Sequence, residues 1–163
     1  MGSSRNKKKK RRKQSKPKFH EPEKIKDSQP VITVNPYAYK KETPVWQISK
    51  IDNGSKWGWS CVTKEQWEKH ILPSLINRES MTWAEIEQQT HGKKNKTSNH
   101  EIEVNKFIPE ARKRLEELKR EDYDILYSLR VNGKIRVFGN RVERLFQIFW
   151  FDTEHEICPS IKD

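Results

Sequence analysis

The dipeptide Asn132-Gly133 constrains the fold more than any other feature of this sequence, because it separates two runs of β-forming residues. Both central residues of a type I′ turn need a positive φ, which Asn and Gly adopt most readily, so the dipeptide predicts a tight β-hairpin. A third β-rich run follows a polar turn at 140–143. We therefore predict three consecutive antiparallel strands, over about 124–131, 134–138 and 144–151.

The predicted turn also fixes a pairing register. A two-residue loop places Leu129 opposite Arg136 and Tyr127 opposite Phe138, and directly opposed residues share a face of the sheet. That face combines cations with aromatic rings, which suits a polyanion with exposed bases. Alternatively, both faces are covered and the cations extend to the rim. A slip of one residue would exchange the two faces.

Upstream of these strands, a second hairpin is predicted from residues 45–51 and 56–62. Trp57 and Trp59 within it lie beside glycines, which would leave their aromatic faces open for stacking. Residues 91–100 contain no apolar side chain and predict an exposed basic loop.

Three helices are predicted from capping signals and apolar periodicity. Thr63 and Gln66 have the spacing of a capping box, and Pro73 predicts a kink or restart in the helix that follows. Thr82 is expected to cap a short helix over 83–89, and a further helix spans about 109–119. The fold class is therefore α+β, with an antiparallel sheet of three to five strands packed against two to three helices.

The basic charge of the chain lies mostly in its first twenty residues, which hold ten Lys or Arg and no acid. The remainder holds 24 basic and 23 acidic residues. Because a block of like charges repels itself, we predict a disordered basic tail and linker over 1–43 and a single α+β domain over 44–163. The contiguous cations of the tail are candidate phosphate contacts: Lys7, Lys8, Lys9, Lys10, Arg11, Arg12 and Lys13.

Several classes of protein are disfavoured by composition. Cys61 and Cys158 lack the paired spacing of a zinc ribbon. No apolar run is long enough for a membrane span, and the first residues lack the apolar core of a signal peptide. We therefore expect a soluble protein in a reducing, cytoplasmic setting, with no membrane partner.

The carboxylates and imidazole at 152–156 could bind manganese or zinc, but their spacing matches no specific motif, so we predict neither a metal nor another cofactor.

Three β-rich segments follow one another near the C-terminus: Leu129-Arg130-Val131, then after the turn Lys134 to Val137, then Leu145 to Trp150, with His155 beyond them. This pattern resembles the C-terminal half of RelE/HigB/ParE-superfamily toxins. The resemblance covers roughly residues 110–158. Most RelE and HigB members cleave mRNA on the ribosome without a metal, whereas ParE members act on gyrase. The resemblance implies phosphate-contacting cations at Lys134 and Arg136 and a proton-transfer role for His155. The C-terminal tyrosine frequent in the family has no counterpart here.

Metal-free RNA cleavage needs a base, an acid and a cation that stabilises the phosphorane. Histidine suits the first two roles because its pKa lies near neutrality. The predicted catalytic residues are His91, His100, His155 and Arg136. The predicted nucleic-acid contacts in the domain are Lys134, Arg130 and Tyr127.

Three functions are consistent with these residues. The first is a small metal-independent endoribonuclease of toxin or defence type, with RNA or the ribosome as target and an antitoxin-like protein as a possible partner. The second is a non-catalytic RNA- or ribosome-binding protein that uses the basic tail for affinity. The third is a protein-binding module whose tail resembles a nuclear-localisation signal.

Overall fold

The structure, a computed structural model, describes residues 35–159. The predictions for the basic tail, namely its disorder and its phosphate contacts, fall on residues outside this range. Part of the predicted linker lies within it and packs on the domain: Ala38–Lys41 forms a 3-10 helix, and Tyr39 packs against the core.

The α+β class is confirmed, with one five-stranded mixed sheet and one two-stranded ribbon. In spatial order, the large sheet contains β1 (Val45–Gln47), β7 (Leu145–Asp152), β6 (Arg136–Val142), β5 (Ile125–Arg130) and β4 (His100–Glu103). The ribbon pairs β2 (Thr90–His91) with β3 (Lys96–Thr97). Strands β4 to β7 pair antiparallel, whereas β1 runs parallel to β7, so the sheet is mixed rather than wholly antiparallel.

The predicted hairpin of residues 45–51 and 56–62 is wrong, because β1 pairs with the last strand instead. Trp57 is buried against Trp150, with ring centroids 5.2 Å apart, and is therefore closed to base stacking. Gly58 lies so near the backbone that an added Cβ would meet the Asp52 carbonyl oxygen at 2.4 Å. The glycine beside Trp57 thus serves close packing.

The helices begin where the capping signals predict. Helix α1 (Lys64–Gln66) continues through a π-helical turn (Trp67–Ile71) into α2 (Leu72–Glu79). The π turn ends two residues before Pro73, the predicted point of restart. Helix α3 (Trp83–Gln88) carries a capping box between Thr82 and Glu85. Helix α4 spans Pro109–Glu117.

The large sheet separates two hydrophobic cores. One core joins α2 and α3 to side chains such as Tyr127, Leu129 and Val137. The other joins α4 to Leu126, Phe138 and Trp150. Residues in alternate positions along β5 and β6 therefore face different cores, and the register between these strands decides which face each side chain joins.

The predicted register of the β5–β6 hairpin is wrong by one residue. Leu129 lies opposite Val137 and Arg130 opposite Arg136. The cause is the turn: Asn132 Oδ1 accepts hydrogen bonds from the backbone N–H groups of Lys134 (2.9 Å) and Ile135 (2.8 Å). Val131 N donates to Ile135 O at 3.0 Å, which closes a three-residue loop. Neither Asn132 nor Gly133 has a positive φ, so the type I′ turn is also wrong.

Candidate functional site

The observed register places two arginines side by side on one face of the sheet. Arg130 ends β5, Arg136 begins β6, and the two residues are directly opposed. Opposed residues in an antiparallel pair have Cβ atoms about 4.5–5.5 Å apart. Two guanidinium groups anchored so closely create a concentrated positive charge, which favours an anion between or beside them.

The neighbouring row of the same face adds a histidine and a hydroxyl group. His100 on β4 lies opposite Ser128, and Ser128 lies opposite Phe138 on β6. The two rows form the floor of a pocket of about 420 Å³. Among residues 35–159, its polar lining includes His91, Lys96, Ser98, His100, Ser128, Arg130, Arg136 and His155, and no carboxylate.

His155 reaches this pocket through a turn that follows β7. The Asp152 carboxylate accepts hydrogen bonds from the backbone N–H groups of Glu156 and Ile157, both at 2.9 Å. Within this turn His155 adopts a φ of 58°, the left-handed region that few non-glycine residues occupy. The turn reverses the chain and sets the imidazole on the pocket wall.

His91 belongs to the opposite wall, formed by the β2–β3 ribbon. Its Nδ1 lies 3.3 Å from Ser98 Oγ. The ribbon is fixed to the sheet by buried Asn99, whose Nδ2 donates to Ile86 O (2.8 Å) and Gln89 Oε1 (2.9 Å). The Asn99 Oδ1 accepts from Arg130 N at 2.9 Å. Asn99 thereby holds the ribbon, α3 and the end of β5 in one arrangement.

Arg136 is the most unusual residue of the pocket, because its cation is buried without a carboxylate partner. Arg136 is only 7% exposed. Its Nη1 donates hydrogen bonds to Asn132 O (2.9 Å) and Ile135 O (3.0 Å). Across residues 35–159, no carboxylate forms an ion pair with it. A buried charge without a directly bonded counter-ion is costly. Burial together with Arg130 lowers the pKa of Arg136 to about 10, although the charge of the nearby Asp152 carboxylate opposes this shift. The group nonetheless keeps its proton at neutral pH.

The same positive charges affect the histidines. Partial burial lowers the pKa of His91, His100 and His155 below the ordinary value of 6.5. The charge of Arg136 lowers the pKa of all three further, and for His91 the charge of Arg130 contributes more than that of Arg136. The free pocket therefore holds neutral imidazoles beside protonated guanidinium groups at neutral pH.

Five of the residues predicted from the sequence thus line one pocket: His91, His100, His155, Arg130 and Arg136. Their catalytic and binding roles stay predictions.

Two other predicted contacts lie elsewhere. Lys134 is exposed in the turn, where it forms an ion pair with Glu154, and it does not line the pocket. Tyr127 lies on the opposite face, buried in the first core with its ring beside Arg141. The prediction that Tyr127 shares the face of Arg136 is wrong because of the register shift.

The strand that carries His100 is not among the elements predicted from the sequence. The prediction of an exposed loop over residues 91–100 is confirmed for residues 92–97, which are exposed. It is wrong for the rest of the segment, which supplies buried Ser98 and Asn99 and the first residue of β4, and it missed the ribbon strands. The missed signal is the alternation that follows, in which Ile102 and Val104 alternate with Glu101 and Glu103. That alternation is typical of a half-buried strand.

The carboxylates near His155 do not converge on a common point. Asp152 is engaged by two backbone N–H groups, Glu154 pairs with Lys134, and Glu156 accepts a hydrogen bond from Trp57 Nε1 at 2.8 Å. In the part of the chain that the structure describes, no group of three His, Cys, Asp or Glu side chains is arranged to hold a metal ion.

Comparison with known proteins gives no further guide to this site. No protein-family model, curated protein or solved structure matches the chain. Within residues 35–159, no helix has the length and apolar character needed to cross a membrane.

Proposed function

We propose that the protein is a metal-independent endoribonuclease that cleaves single-stranded RNA in the pocket of Arg136. The observation that carries this proposal is a buried guanidinium group that, within residues 35–159, has no carboxylate bonded to it, in a pocket that three histidines and no acid of that range line. A phosphodiester would supply the missing negative charge, and imidazoles are suited to move protons around it.

In the proposed reaction, a neutral imidazole removes the proton of the ribose 2′-hydroxyl group. The 2′-oxygen attacks phosphorus, and the bond from phosphorus to the 5′-oxygen breaks. A protonated imidazole gives its proton to the departing 5′-oxygen, while Arg136 stabilises the charge on the equatorial oxygens of the phosphorane. The products are a 2′,3′-cyclic phosphate and a 5′-hydroxyl group.

His100 and His155 are the best candidates for the acid and the base. Among the neighbouring charges that act on the pKa of either histidine, Arg136 has the largest effect. Arg130, in contrast, has the largest such effect on His91. Two imidazoles near Arg136 would flank a phosphate bound there. His91 would then contact the substrate outside the scissile bond.

Substrate binding supplies the protonated imidazole that the free pocket lacks. The charge of Arg136 lowers the pKa of His100 and His155, and the charge of Arg130 lowers that of His155 further. A bound phosphate offsets those charges. An anion beside an imidazole raises its pKa, so the acid would form when RNA enters the pocket. This coupling predicts that the free protein contains neutral histidines and the complex contains one that is charged.

A toxin or defence role, with an antitoxin-like partner and the ribosome as the place of action, extends this proposal. It is supported by the resemblance of β5 to β7, followed by His155, to the C-terminal half of RelE/HigB/ParE-superfamily toxins. A partner that inhibits such an enzyme would be expected to cover the pocket of Arg136.

The direct test is incubation of the full chain with single-stranded RNA in excess EDTA. We expect fragments that end in a 2′,3′-cyclic phosphate, and no cleavage at a position where the 2′-hydroxyl group is replaced by hydrogen. Arg136→Gln is the matched variant, since it removes the charge with little change in polarity. If Arg136→Gln cleaves RNA at the rate of the parent protein, this pocket is excluded as the active site.

RNA binding without cleavage is the second candidate function. It is favoured by the lowered pKa of every histidine in the pocket, because a set of neutral imidazoles contains no acid. Under this alternative, RNA binds in the pocket and is recovered intact. Loss of binding in Arg136→Gln, without cleavage by the parent protein, would identify it.

A further inference from the structure

The pocket of Arg136 does not end at Arg130. A second cavity, also of about 420 Å³, lies beside it and shares three of its lining residues: His91, Ser98 and Arg130. The additional lining comes from Arg78, Gln89, Thr90 and Val131. The two cavities therefore adjoin at these three residues, and we refer to them together as the groove. Among residues 35–159, neither cavity has a carboxylate in its lining.

The far part of this groove contains a second buried arginine. Arg78 is 7% exposed, and no carboxylate of residues 35–159 pairs with it. The other arginine with a buried side chain in that range is Arg136. Both buried guanidinium charges thus lack a counter-ion, and both line the same groove.

Arg78 acts through its charge and its scaffold bonds rather than as a direct ligand. Its Nη1 donates to the carbonyl and hydroxyl oxygens of Ser74, and its Nη2 donates to Gln89 Oε1 (3.1 Å) and to Arg130 O (2.8 Å). These bonds use the four hydrogens of the two terminal nitrogens. The side chain of Arg130, which lines both cavities, is left to contact an anion directly.

We propose that the groove holds a second phosphate of the same polynucleotide, with Arg130 as its direct cation and Arg78 as a positioning residue whose charge strengthens the site. This inference rests on the proposed function for the first phosphate. It assigns the substrate class as an RNA strand that carries at least two consecutive phosphates across β5, rather than a mononucleotide. Exposed Lys96 of the ribbon lines the first cavity.

Thr90 offers a test that leaves the arginine scaffold intact. Its side chain is exposed, and it lines the second cavity but not the first. Thr90→Glu introduces a negative charge into the second cavity alone, and Thr90→Gln is its matched neutral control. Neither change touches a residue of the proposed catalytic pair.

The experiment measures binding of two dinucleotides to the full chain by NMR titration. Both lack the 2′-hydroxyl groups and so cannot be cleaved. The first has a single internal phosphate. The second carries an additional terminal phosphate and is tested in two versions, with that phosphate at the 5′ end or at the 3′ end. For the parent protein and Thr90→Gln, we expect the additional phosphate at one end to raise affinity about tenfold. We also expect it to steepen the dependence of log affinity on log salt by about 0.7. In Thr90→Glu this increment should be lost, while affinity for the one-phosphate ligand stays within about twofold.

Arg78 provides a second variant pair. Arg78→Met should lose the increment and Arg78→Lys should retain part of it, since lysine keeps the charge but not the scaffold bonds. An increment that is absent from the parent, or unchanged in Thr90→Glu, overturns the second subsite even if RNA is cleaved. An increment that is present without RNA cleavage supports the subsite and overturns the nuclease. An acidic peptide that competes as well as the two-phosphate ligand would overturn the assignment to nucleic acid.

Discussion

Arg136 and Asp152 lie directly opposite each other on β6 and β7, yet they do not form an ion pair. The Asp152 carboxylate instead accepts two backbone N–H groups of the turn that carries His155. The charge of Asp152 still favours the protonated form of Arg136, but its hydrogen bonds shape the chain around a candidate catalytic histidine. As a result, the guanidinium charge of Arg136 is available to a ligand.

The first prediction concerns Arg136. Arg136→Gln should reduce single-turnover RNA cleavage by about 10²–10³-fold, because it removes charge stabilisation in the transition state. It should also lower the free energy of unfolding by about 1–3 kcal/mol, since the buried side chain bonds two carbonyl groups of the hairpin. A melting curve recorded with the rate separates the two effects. Lys134→Gln, which removes an exposed cation of the same hairpin, should leave both quantities nearly unchanged.

The second prediction concerns acid stability. The pKa of His91, His100 and His155 is lower in the folded protein than the ordinary value of 6.5. The unfolded chain therefore binds more protons below pH 6.5, so the free energy of unfolding should fall as the pH drops from 6.5. His100→Gln and His155→Gln should each flatten this dependence in thermal melts between pH 5 and 7.5.

The matched control for the acid melts is His70→Gln, because that side chain is exposed and outside the pocket. Inorganic phosphate should restore part of the stability lost at low pH, because an anion in the pocket favours the protonated histidines. A pH dependence that neither pocket variant alters would contradict a lowered pKa for His100 and His155 in the folded protein.

The third prediction compares the effect on stability of an added methyl group at two glycines, Gly139 in β6 and Gly133 in the β5–β6 turn. An added Cβ at Gly139 would meet the Gln147 carbonyl oxygen at 2.1 Å, at the point where the β6–β7 register shifts. Gly139→Ala should therefore cost about 1–3 kcal/mol through forced backbone movement. Gly133→Ala should be nearly neutral, since no atom lies within 4 Å of its added Cβ. Chemical denaturation of both variants tests the pair, and equal losses would contradict the observed turn.

The fourth prediction concerns a buried carboxylate remote from the pocket. Asp52 accepts hydrogen bonds from Arg114 Nη2 (2.7 Å), Arg114 Nε (2.9 Å) and Trp150 Nε1 (3.0 Å). Burial alone would raise the pKa of Asp52, but these hydrogen bonds outweigh it and hold the pKa well below 3.8. Asp52→Asn should cost about 1.5–3 kcal/mol, because it removes the charged acceptor of these hydrogen bonds and leaves Arg114 with Glu117 alone. RNA cleavage measured well below the melting temperature should be unaffected.

The fifth prediction concerns the basic tail. Residues 1–20 hold ten cations and no acid, so their deletion should weaken RNA binding and reduce its dependence on salt. Circular dichroism should show the same fold in the shortened protein. A filter-binding titration whose salt dependence is unchanged would show that the tail makes no phosphate contacts.

The sequence predicted the elements of this fold better than their pairing. The Thr63 capping box, the Thr82 cap and the three C-terminal strands follow from local signals. The helices begin where predicted, but β6 continues to Val142 through most of the turn predicted at 140–143. The register does not, because the Asn132 side chain binds two backbone N–H groups and replaces the expected two-residue turn with a longer one. One shifted residue moved Tyr127 to a core and brought Arg130 opposite Arg136.

The candidate residues were likewise easier to find than their arrangement. His91, His100 and His155 stand out because of their chemistry, but their convergence depends on long-range contacts. Buried Asn99 joins the ribbon to β5, and Asp152 forms the turn at His155. Arg78 gives no sequence signal, since an arginine near the end of a helix is usually solvated.

The parallel pairing of β1 with β7 makes the order of folding depend on synthesis. Val45 pairs with Leu145. Strand β1 therefore cannot pair until β7 has been synthesised, when almost all of the described domain has left the ribosome. Strands β5 to β7 are joined by short turns and can pair without delay, whereas closure over so many residues is slow. During that interval the edge of β7 is unpaired and open to other strands. When β1 pairs with β7 it covers this edge, so we expect the last step of sheet formation to be the one that limits aggregation.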